Sequence, residues 1–483
     1  MPINLELIAL PLLFGIASFF IPRHWARWST LIFATTSLVA VLIKLLQFEP
    51  DIKEYFINNV SSFALGLTFN MAVDGLGILM LGLSNLVIFL VALSNVNREE
   101  SSKPSFNGLL FLMQFGLNGV FASEDGILFY MFWELTLIPV FLMLYWFGAK
   151  ENQKNLMTFF LYTLFGSLFM LLAILAWGAY TPSYDYHKLM YAAVPSQYVC
   201  WIFSGFLIAF AIKIPLFPFH TWQPPTYSTA PMAGTMLLSA IMLKMALFGM
   251  IKWMIPLSYA ALDLWQLPVI IAGLIGIVYG AVIALRENNI RKVFAFASIS
   301  HLGLIAAGIM IFSFDSLMGS ILQIVNHSLI AVGLFLAADI AIKRYGTSDL
   351  TQMGGLAKLA PRYGFWFAVT VLIALSVPLT AGFIGEFLLI KAVFDYQMVL
   401  GIVASLTLVL GAVYMIRAYQ MSSMGAPKIP SAEDLQWNEI LVFALIALLT
   451  LFLGLHPEAI LQLIKPSIQH LLESVQDTTN LLK

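Results

Sequence analysis

Apolar runs of roughly 20 residues recur along almost the whole of this 483-residue chain. Each is long enough to cross about 30 Å of hydrocarbon as a helix rising about 1.5 Å per residue. In lipid the backbone must satisfy its own hydrogen bonds, so such runs fold as helices. A soluble alternative fails on composition, because 60% hydrophobic and 10% charged residues cannot build a hydrated surface. The net charge of −1 leaves no basic footprint for nucleic acid. The single cysteine, Cys200, excludes an internal disulfide or a thiolate cluster. The expected fold class is an all-α polytopic membrane protein of about fourteen transmembrane helices. Their expected ranges are 3–21, 28–47, 75–95, 106–121, 125–147, 156–180, 198–219, 232–255, 266–285, 293–313, 316–342, 363–394, 398–419 and 438–455. The first run lacks a basic leader and a small-residue cleavage site, so it reads as a retained helix. The segment 48–74 reads as an ordered surface loop, and 457–483 as a polar, weakly amphipathic tail.

Against this background five ionisable residues stand inside the apolar runs: Glu134, Lys213, Lys244, His327 and Glu386. A charge at bilayer depth costs at least about 2.5–3.5 kcal/mol, so residues of this kind mark ion or proton pathways by default. Glu134 sits in LFYMFWELTLIPVFLMLYWFG, among apolar and aromatic neighbours. Unpaired, it would be neutral; a lysine beside it would keep it ionised, and Lys213 and Lys244 are the candidate partners. A buried lysine can hold or release a proton according to the charge beside it. The plain alternative is a static ion pair that holds helices together. His327 can pass a proton between its two ring nitrogens, and Ser298, Ser300, Asn326 and Ser328 could order bridging water. Taken alone, a helical histidine is more often a hydrogen-bonded core residue. His220 and His301 are secondary candidates, and no histidine spacing suggests a metal site.

Two runs are interrupted by proline in corresponding places. In AIKIPLFPFHTW, Pro215 and Pro218 follow Lys213; in LSVPLTAGFIGEF, Pro378, Gly382 and Gly385 precede Glu386. Proline deletes a helix hydrogen bond and clashes with the preceding turn, so both helices, the seventh and the twelfth, are expected to be broken. Five runs apart, the two breaks imply units of opposite orientation, namely two inverted five-helix repeats of helices 4–8 and 9–13, a transporter design. The expected division is 1–105 for helices 1–3, 106–255 for the first repeat, 266–420 for the second, and 421–483 for the last helix and tail. Arginine and lysine cluster in alternate loops, at Arg23 and Arg27, Arg98 and Lys103, Lys150 and Lys154, Arg286 to Lys292, Lys343 to Arg362, and Arg417 and Lys428. The opposite loops and the tail hold only Lys44, Lys53, Lys188, Lys252, Lys465 and Lys483. The positive-inside rule then puts both termini outside the cytoplasm.

The same residues carry a resemblance. FWELTLIPVFL (132–142), AVDGLG (72–77), KIPLFPFHTWQPP (213–225), APMAG (230–234), MLKMALFG (242–249), FASISHLG (296–303) and GFIGEF (382–387) are similar to the antiporter-like membrane subunits of respiratory complex I and the related cation/proton antiporters. The resemblance covers nearly the whole chain. Sister subunits usually carry lysine where this chain has Glu386, so the glutamate points to one branch, that of a bacterial inner (cytoplasmic) membrane complex. Met245 and Pro224 depart from what relatives often carry. The resemblance implies a subunit that relays protons: Glu134 and Lys213 as a charge pair, Lys244 as central relay, His327 as onward link and Glu386 as exit. It implies no redox centre in this chain, with NADH, FMN, Fe-S clusters and quinone bound in or near other subunits. The implied neighbours are the antiporter-like subunits N and L. Readings left open are a subunit of a multisubunit sodium/proton antiporter, a membrane subunit of a hydrogenase complex, and a structural scaffold.

Overall fold

The computed structural model describes residues 5–51, 54–63, 67–149, 153–181 and 183–481. Lys53, Lys150 and Lys483, which enter the comparison of loop charge, lie outside the described residues. The helices that organise the fold are α1 (Glu6–Phe20), α2 (Arg23–Gln47), α3 (Gly75–Asn95), α4 (Pro104–Ala122), α5 (Gly126–Phe147), α6 (Gln153–Gly178), α7 (Ser196–Lys213) and α8 (Met232–Leu257). They continue as α9 (Leu262–Arg286), α10 (Ile290–Ile311), α11 (Phe314–Tyr345), α12 (Pro361–Ala374), α13 (Ala381–Tyr396), α14 (Met398–Ser423), α15 (Trp437–Leu455) and α16 (Glu458–Leu481). Twelve described helices are long and apolar enough to cross a membrane. The expected crossings outside that set are α1, only 15 residues long, and the stretch 361–396, which is split between α12 and α13.

Helix starts follow from short polar residues that accept the otherwise unpaired first amides. Asp74 accepts from Gly77 N at the head of α3, and Asp125 accepts from Ile127 N and Leu128 N at the head of α5. Asn289 does the same for α10, and Ser313 with Ser316 forms a capping box on α11.

Both proline breaks are present. Helix α7 ends at Lys213; the chain then turns through 214–222 and resumes as a short helix, Gln223–Thr229. There Leu216 N reaches back to Ala211 O, so the carbonyl of Ile212 loses its helical donor. The indole Nε1 of Trp222 takes its place, donating to Ile212 O at 2.9 Å, so no backbone acceptor is stranded there. The second break, 375–380, separates α12 from α13, with Ser376 and Leu379 in the left-handed region. A Cβ on Gly382 would strike the Asn326 amide and the Ser376 hydroxyl, so a larger residue there would have to displace both side chains for the chain to re-enter a helix this close to α11.

Two helices form the axis of the bundle. The most apolar stretches of α8 and α11 are entirely buried, whereas those of α2, α14 and α15 are buried only to a third or less. Helix α8 contains two wider π turns, Leu238–Met242 and Met250–Met254, which shift the face its later side chains present. Helix α9 lies along α10 at backbone distance: a Cβ on either Gly273 or Gly303 would collide with the other's carbonyl oxygen. Between helices in lipid there is little hydrophobic drive, so such small-residue crossings, with their van der Waals contact, hold the bundle together.

Two expectations about polar segments are corrected. The stretch 48–74 is not simply a surface loop: β1 (Glu54–Phe63) and β2 (Leu67–Val73) pair antiparallel from Glu54 opposite Val73 to Phe63 opposite Leu67, with irregular register between. Within 457–483, Glu458–Leu481 is not a weakly amphipathic tail but the long helix α16. Its Ile460, Ile464, Ile468 and Val475 form one buried stripe, packed on α3 and α11. Steps of four and seven residues keep one face of a helix of about 3.6 residues per turn, and the intervening Lys, Gln and Glu hid it within a polar average.

At the end of the bundle where α3 and α11 finish, Asp339 is buried and held by Arg98 and by Arg291 at 3.1 Å, with Lys343 at 3.5 Å. Glu439, at the head of α15, lies 3.8 Å from Arg98 and 3.9 Å from Arg344. Removing one member of a buried ion cluster leaves the others uncompensated, at about 3–5 kcal/mol. Asp339→Ala is therefore expected to lower the thermal midpoint of the solubilised protein by several degrees, whereas Lys343→Ala, whose side chain is 46% exposed, leaves it nearly unchanged. Gly303→Ala should destabilise the α9–α10 crossing by about 1–3 kcal/mol. Gly276→Ala, whose added methyl meets nothing nearer than 3.9 Å, should not, and thermal melts of the pair check the contrast.

Candidate functional site

The centre of the site is the ammonium of Lys244, in the middle of α8 and fully buried. An ammonium has three donors and no acceptor, so it needs oxygen or nitrogen lone pairs around it. The π turn before it supplies one: Lys244 Nζ donates to Ser239 O at 2.5 Å. The other comes from α11, where His327 Nδ1 lies 2.8 Å from Lys244 Nζ. When Lys244 is charged it can only donate, and His327 then accepts at Nδ1 and carries its own proton on Nε2. Nε2 faces Ser298 Oγ of α10 at 3.2 Å.

A second polar group begins one turn further along α10. His301 Nδ1 lies 3.1 Å from Glu386 Oε1, an ion-pair contact whose hydrogen is not aligned for a good hydrogen bond. Gln323 Nε2, from α11, donates to the same Glu386 oxygen at 3.1 Å. Asn326 Nδ2 extends the row, 3.4 Å from Gln323 Oε1. The His301 and His327 rings meet edge-on, with centroids 6.1 Å apart and planes at 65°. A cavity of about 20 Å³, lined by Ser239, Ser298, His301, Gln323 and His327 among others, lies between the two groups. It has room for one water, and Ser298, His301, Gln323 and His327 are polar side chains on a wall that is otherwise mostly apolar. Four helices, α8, α11, α10 and α13, thus bring Lys244, His327, Ser298, His301 and Glu386 into one row.

Glu134 and Lys213 lie apart from that row. Lys213 is buried at the last turn of α7, and its ammonium stands 5.7 Å from the centre of the Trp133 ring, a cation–π contact. Glu134 is half-buried on α5 next to Trp133, within electrostatic range of Lys213, and its Oε1 has no hydrogen-bond partner. No nitrogen–oxygen contact within 4.0 Å joins Glu134 to Lys213 among the described ion pairs, so the pair stands open. His220 falls within the break after α7, stacked on Phe217 and edge-on to Tyr279 at 4.8 Å, with Nδ1 unpartnered. It touches none of the other candidates. Of the water-ordering residues, Ser298 contacts His327, but Ser328 instead bonds back to Ile324 O.

Gln323 escaped sequence reasoning; it lies one helical turn before His327 on the same face of α11, and that spacing was the available signal, whereas His301, three residues after Ser298 on α10, was already a secondary candidate. Trp133 was visible only as a neighbour of Glu134. Among the described residues, no group of three or more His, Cys, Asp or Glu side chains is placed to hold a metal ion.

The comparisons with known proteins bear on the family and the fold. NADH-quinone oxidoreductase subunit M of Rickettsia typhi is 31% identical over 415 residues, 84% of each chain. NADH-ubiquinone oxidoreductase chain 4 of Chondrus crispus is 30% identical over 416 residues, 85% of each. Among solved structures, a chain of respiratory complex I from Thermus thermophilus with bound NADH superposes with a TM-score of 0.90 at 27% identity, over 97% of this chain and 99% of that one. A chain of the Mrp complex from Dietzia sp. DQ12-45-1b shares the fold, with a TM-score of 0.87 at 20% identity over the whole of both chains. The family described as NADH:quinone oxidoreductase/Mrp antiporter, TM, matches residues 123–411, which contain every residue of the buried row, and the chain belongs to that family.

Proposed function

We propose that this chain is subunit M of a proton-translocating NADH:quinone oxidoreductase, relaying protons across the membrane while electrons pass from NADH to quinone in other subunits. The observation that carries this reading is the buried row from Lys244 through His327 to His301 and Glu386, which crosses from α8 to α13 through otherwise apolar packing. Relatives of 30–31% identity are named for that complex, and their alignments span 84–85% of this chain. Electron transfer elsewhere biases the charge on Glu134 and Lys213. When the pair is open, as here, Lys213 is free to pass a proton toward Lys244.

The onward step follows from donors and acceptors. Lys244 gives a proton to His327 Nδ1, the N–H on Nε2 leaves toward Ser298 or a bridging water, and the proton reaches His301 and Glu386. The imidazole ends neutral with its proton on the other nitrogen, so it must turn over before the next cycle. Glu386 is the exit group of the second half. Helices α4–α8 and α9–α14, each with one proline break, form the two inverted units, at 106–255 and 266–420. The termini lie on the non-cytoplasmic side of a bacterial inner membrane, and subunits resembling N and L flank the chain.

Vesicles containing the assembled complex test the reading through NADH-driven proton translocation. Glu134→Ala and Lys244→Met are each expected to lower it at least tenfold at normal assembly, because each removes the only titratable group at its position. Full translocation by both variants would overturn it in favour of a scaffold. Within the row, His301→Gln should cost less than Glu386→Gln, since Gln323 still reaches the carboxylate; equal losses would show that Glu386 accepts its proton only through His301.

A further inference from the structure

A second titratable cluster lies at the end of the bundle opposite Asp339. Lys252, on α8 and 5% exposed, lies 2.7 Å from Glu124 Oε1 and 3.2 Å from Asp74 Oδ2. Glu124, in the link between α4 and α5, is fully buried; Asp74, the cap of α3, is 27% exposed. The three groups come from three separate parts of the fold and meet at the Lys252 ammonium. On one side of Lys252 a cavity of about 340 Å³ opens beneath α16, lined by Asp74, Lys252, Tyr186, His187, Ser467 and His470. Asp51 and His470 at its rim are exposed, so water enters. Glu124 is not among the residues lining this cavity, and Lys252 therefore stands between the water and the buried carboxylate. Lys252 follows Lys244 by eight residues on the same helix, about 12 Å along the axis at about 1.5 Å per residue. The π turn Met250–Met254 rotates it back toward the face of Lys244.

We propose that Asp74, Lys252 and Glu124 form a second aqueous proton port, serving the first half of the chain, with the cavity beneath α16 as its vestibule and α16 as its cover. The port rests on the proton-translocating reading of the chain and adds an opening that the row ending at Glu386 does not supply. In the inward direction a hydronium in the vestibule gives a proton to Asp74; one O–H bond breaks, one forms, and water is left. Lys252 then passes one of its own protons to Glu124 and takes the proton from Asp74, so the ammonium is restored and one proton has moved from Asp74 to Glu124. Outward release is the same sequence reversed. No other reactant is required.

The plain alternative is an ion cluster that staples α3, the α4–α5 link and α8, and two variants separate the two roles. Asp74→Asn keeps the cap of α3, because asparagine caps as well as aspartate, but it cannot carry a proton. Lys252→Arg keeps the charge and the ion pairs, but a guanidinium does not give up its proton. With the complex assembled in membranes, as judged on native gels, and translocation read as protons moved per NADH oxidised, each variant is expected to lower the ratio at least twofold. A ratio within 10% of the parent in either assembled variant overturns the port. If Asp74→Asn assembles and Lys252→Arg does not, the asparagine variant alone decides, since its cap is intact. Glu134→Ala, measured in parallel, keeps the two ideas apart. Translocation lost there but unchanged in Asp74→Asn removes the port alone, whereas translocation unchanged in Glu134→Ala removes the reading on which the port rests.

Discussion

A lysine amine buried in hydrocarbon must find polar partners within its own protein, and Lys244 is where this chain meets that demand. Its ammonium is fully buried, and it is held by the Ser239 carbonyl and the His327 ring. Neither partner is an anion. A carboxylate in their place would stabilise the ammonium as a fixed ion pair; a neutral imidazole leaves a proton that can be shared. The two most buried helices, α8 and α11, cross where that contact forms, and the packing of α10 and α13 around them places Ser298, His301 and Glu386 next in line. The same rule explains the other broken or charged places. Trp222 covers the carbonyl freed after α7, and Arg98, Arg291 and Lys343 surround Asp339.

The polar groups therefore divide by how tightly they are coupled. From Lys244 to Glu386 the contacts are short, with one cavity the size of a water between the two histidines. Between Glu134 and Lys213 there is electrostatic attraction without contact, and Trp133 shares the lysine's charge. An interaction of that kind is easily altered by a small movement of α5 or of the turn after α7, which suits a point where an outside event sets the state of the path. A close ion pair at the same position would resist being switched. Lys213 occupies the last turn before the proline break, so its backbone is held by one side of a helix only.

Much of this was legible in the sequence, though not evenly. Glu134, Lys213, Lys244, His327 and Glu386 stood out because each is costly in an apolar run, and the two proline breaks stood out because proline lacks a donor. Gln323 did not, since a single neutral amide in a helix carries little signal; it gains its role from meeting Glu386 across the α11–α13 contact. His301 was visible but could not be ranked above His220. Both are histidines near prolines or serines, and only the packing sends one toward Glu386 and the other between Phe217 and Tyr279. The polar run 457–483 misled for a different reason: its four isoleucine and valine positions are helical in spacing, but helix α16 has meaning only once α3 and α11 offer a surface to cover.

Composition and periodicity by themselves determined that the chain lies in a membrane as a bundle of helices, and which of its residues are too costly to be idle there. Those are properties of single segments against lipid, and a segment carries them before it touches anything else. The tertiary structure alone decided which of the costly residues touch. That Lys244 faces His327, that His301 rather than His220 reaches Glu386, and that Lys252 sits between Asp74 and Glu124 all depend on the rotation of each helix about its axis. Rotation is set by close crossings such as Gly273 on Gly303 and by the π turns of α8, and no segment records it alone.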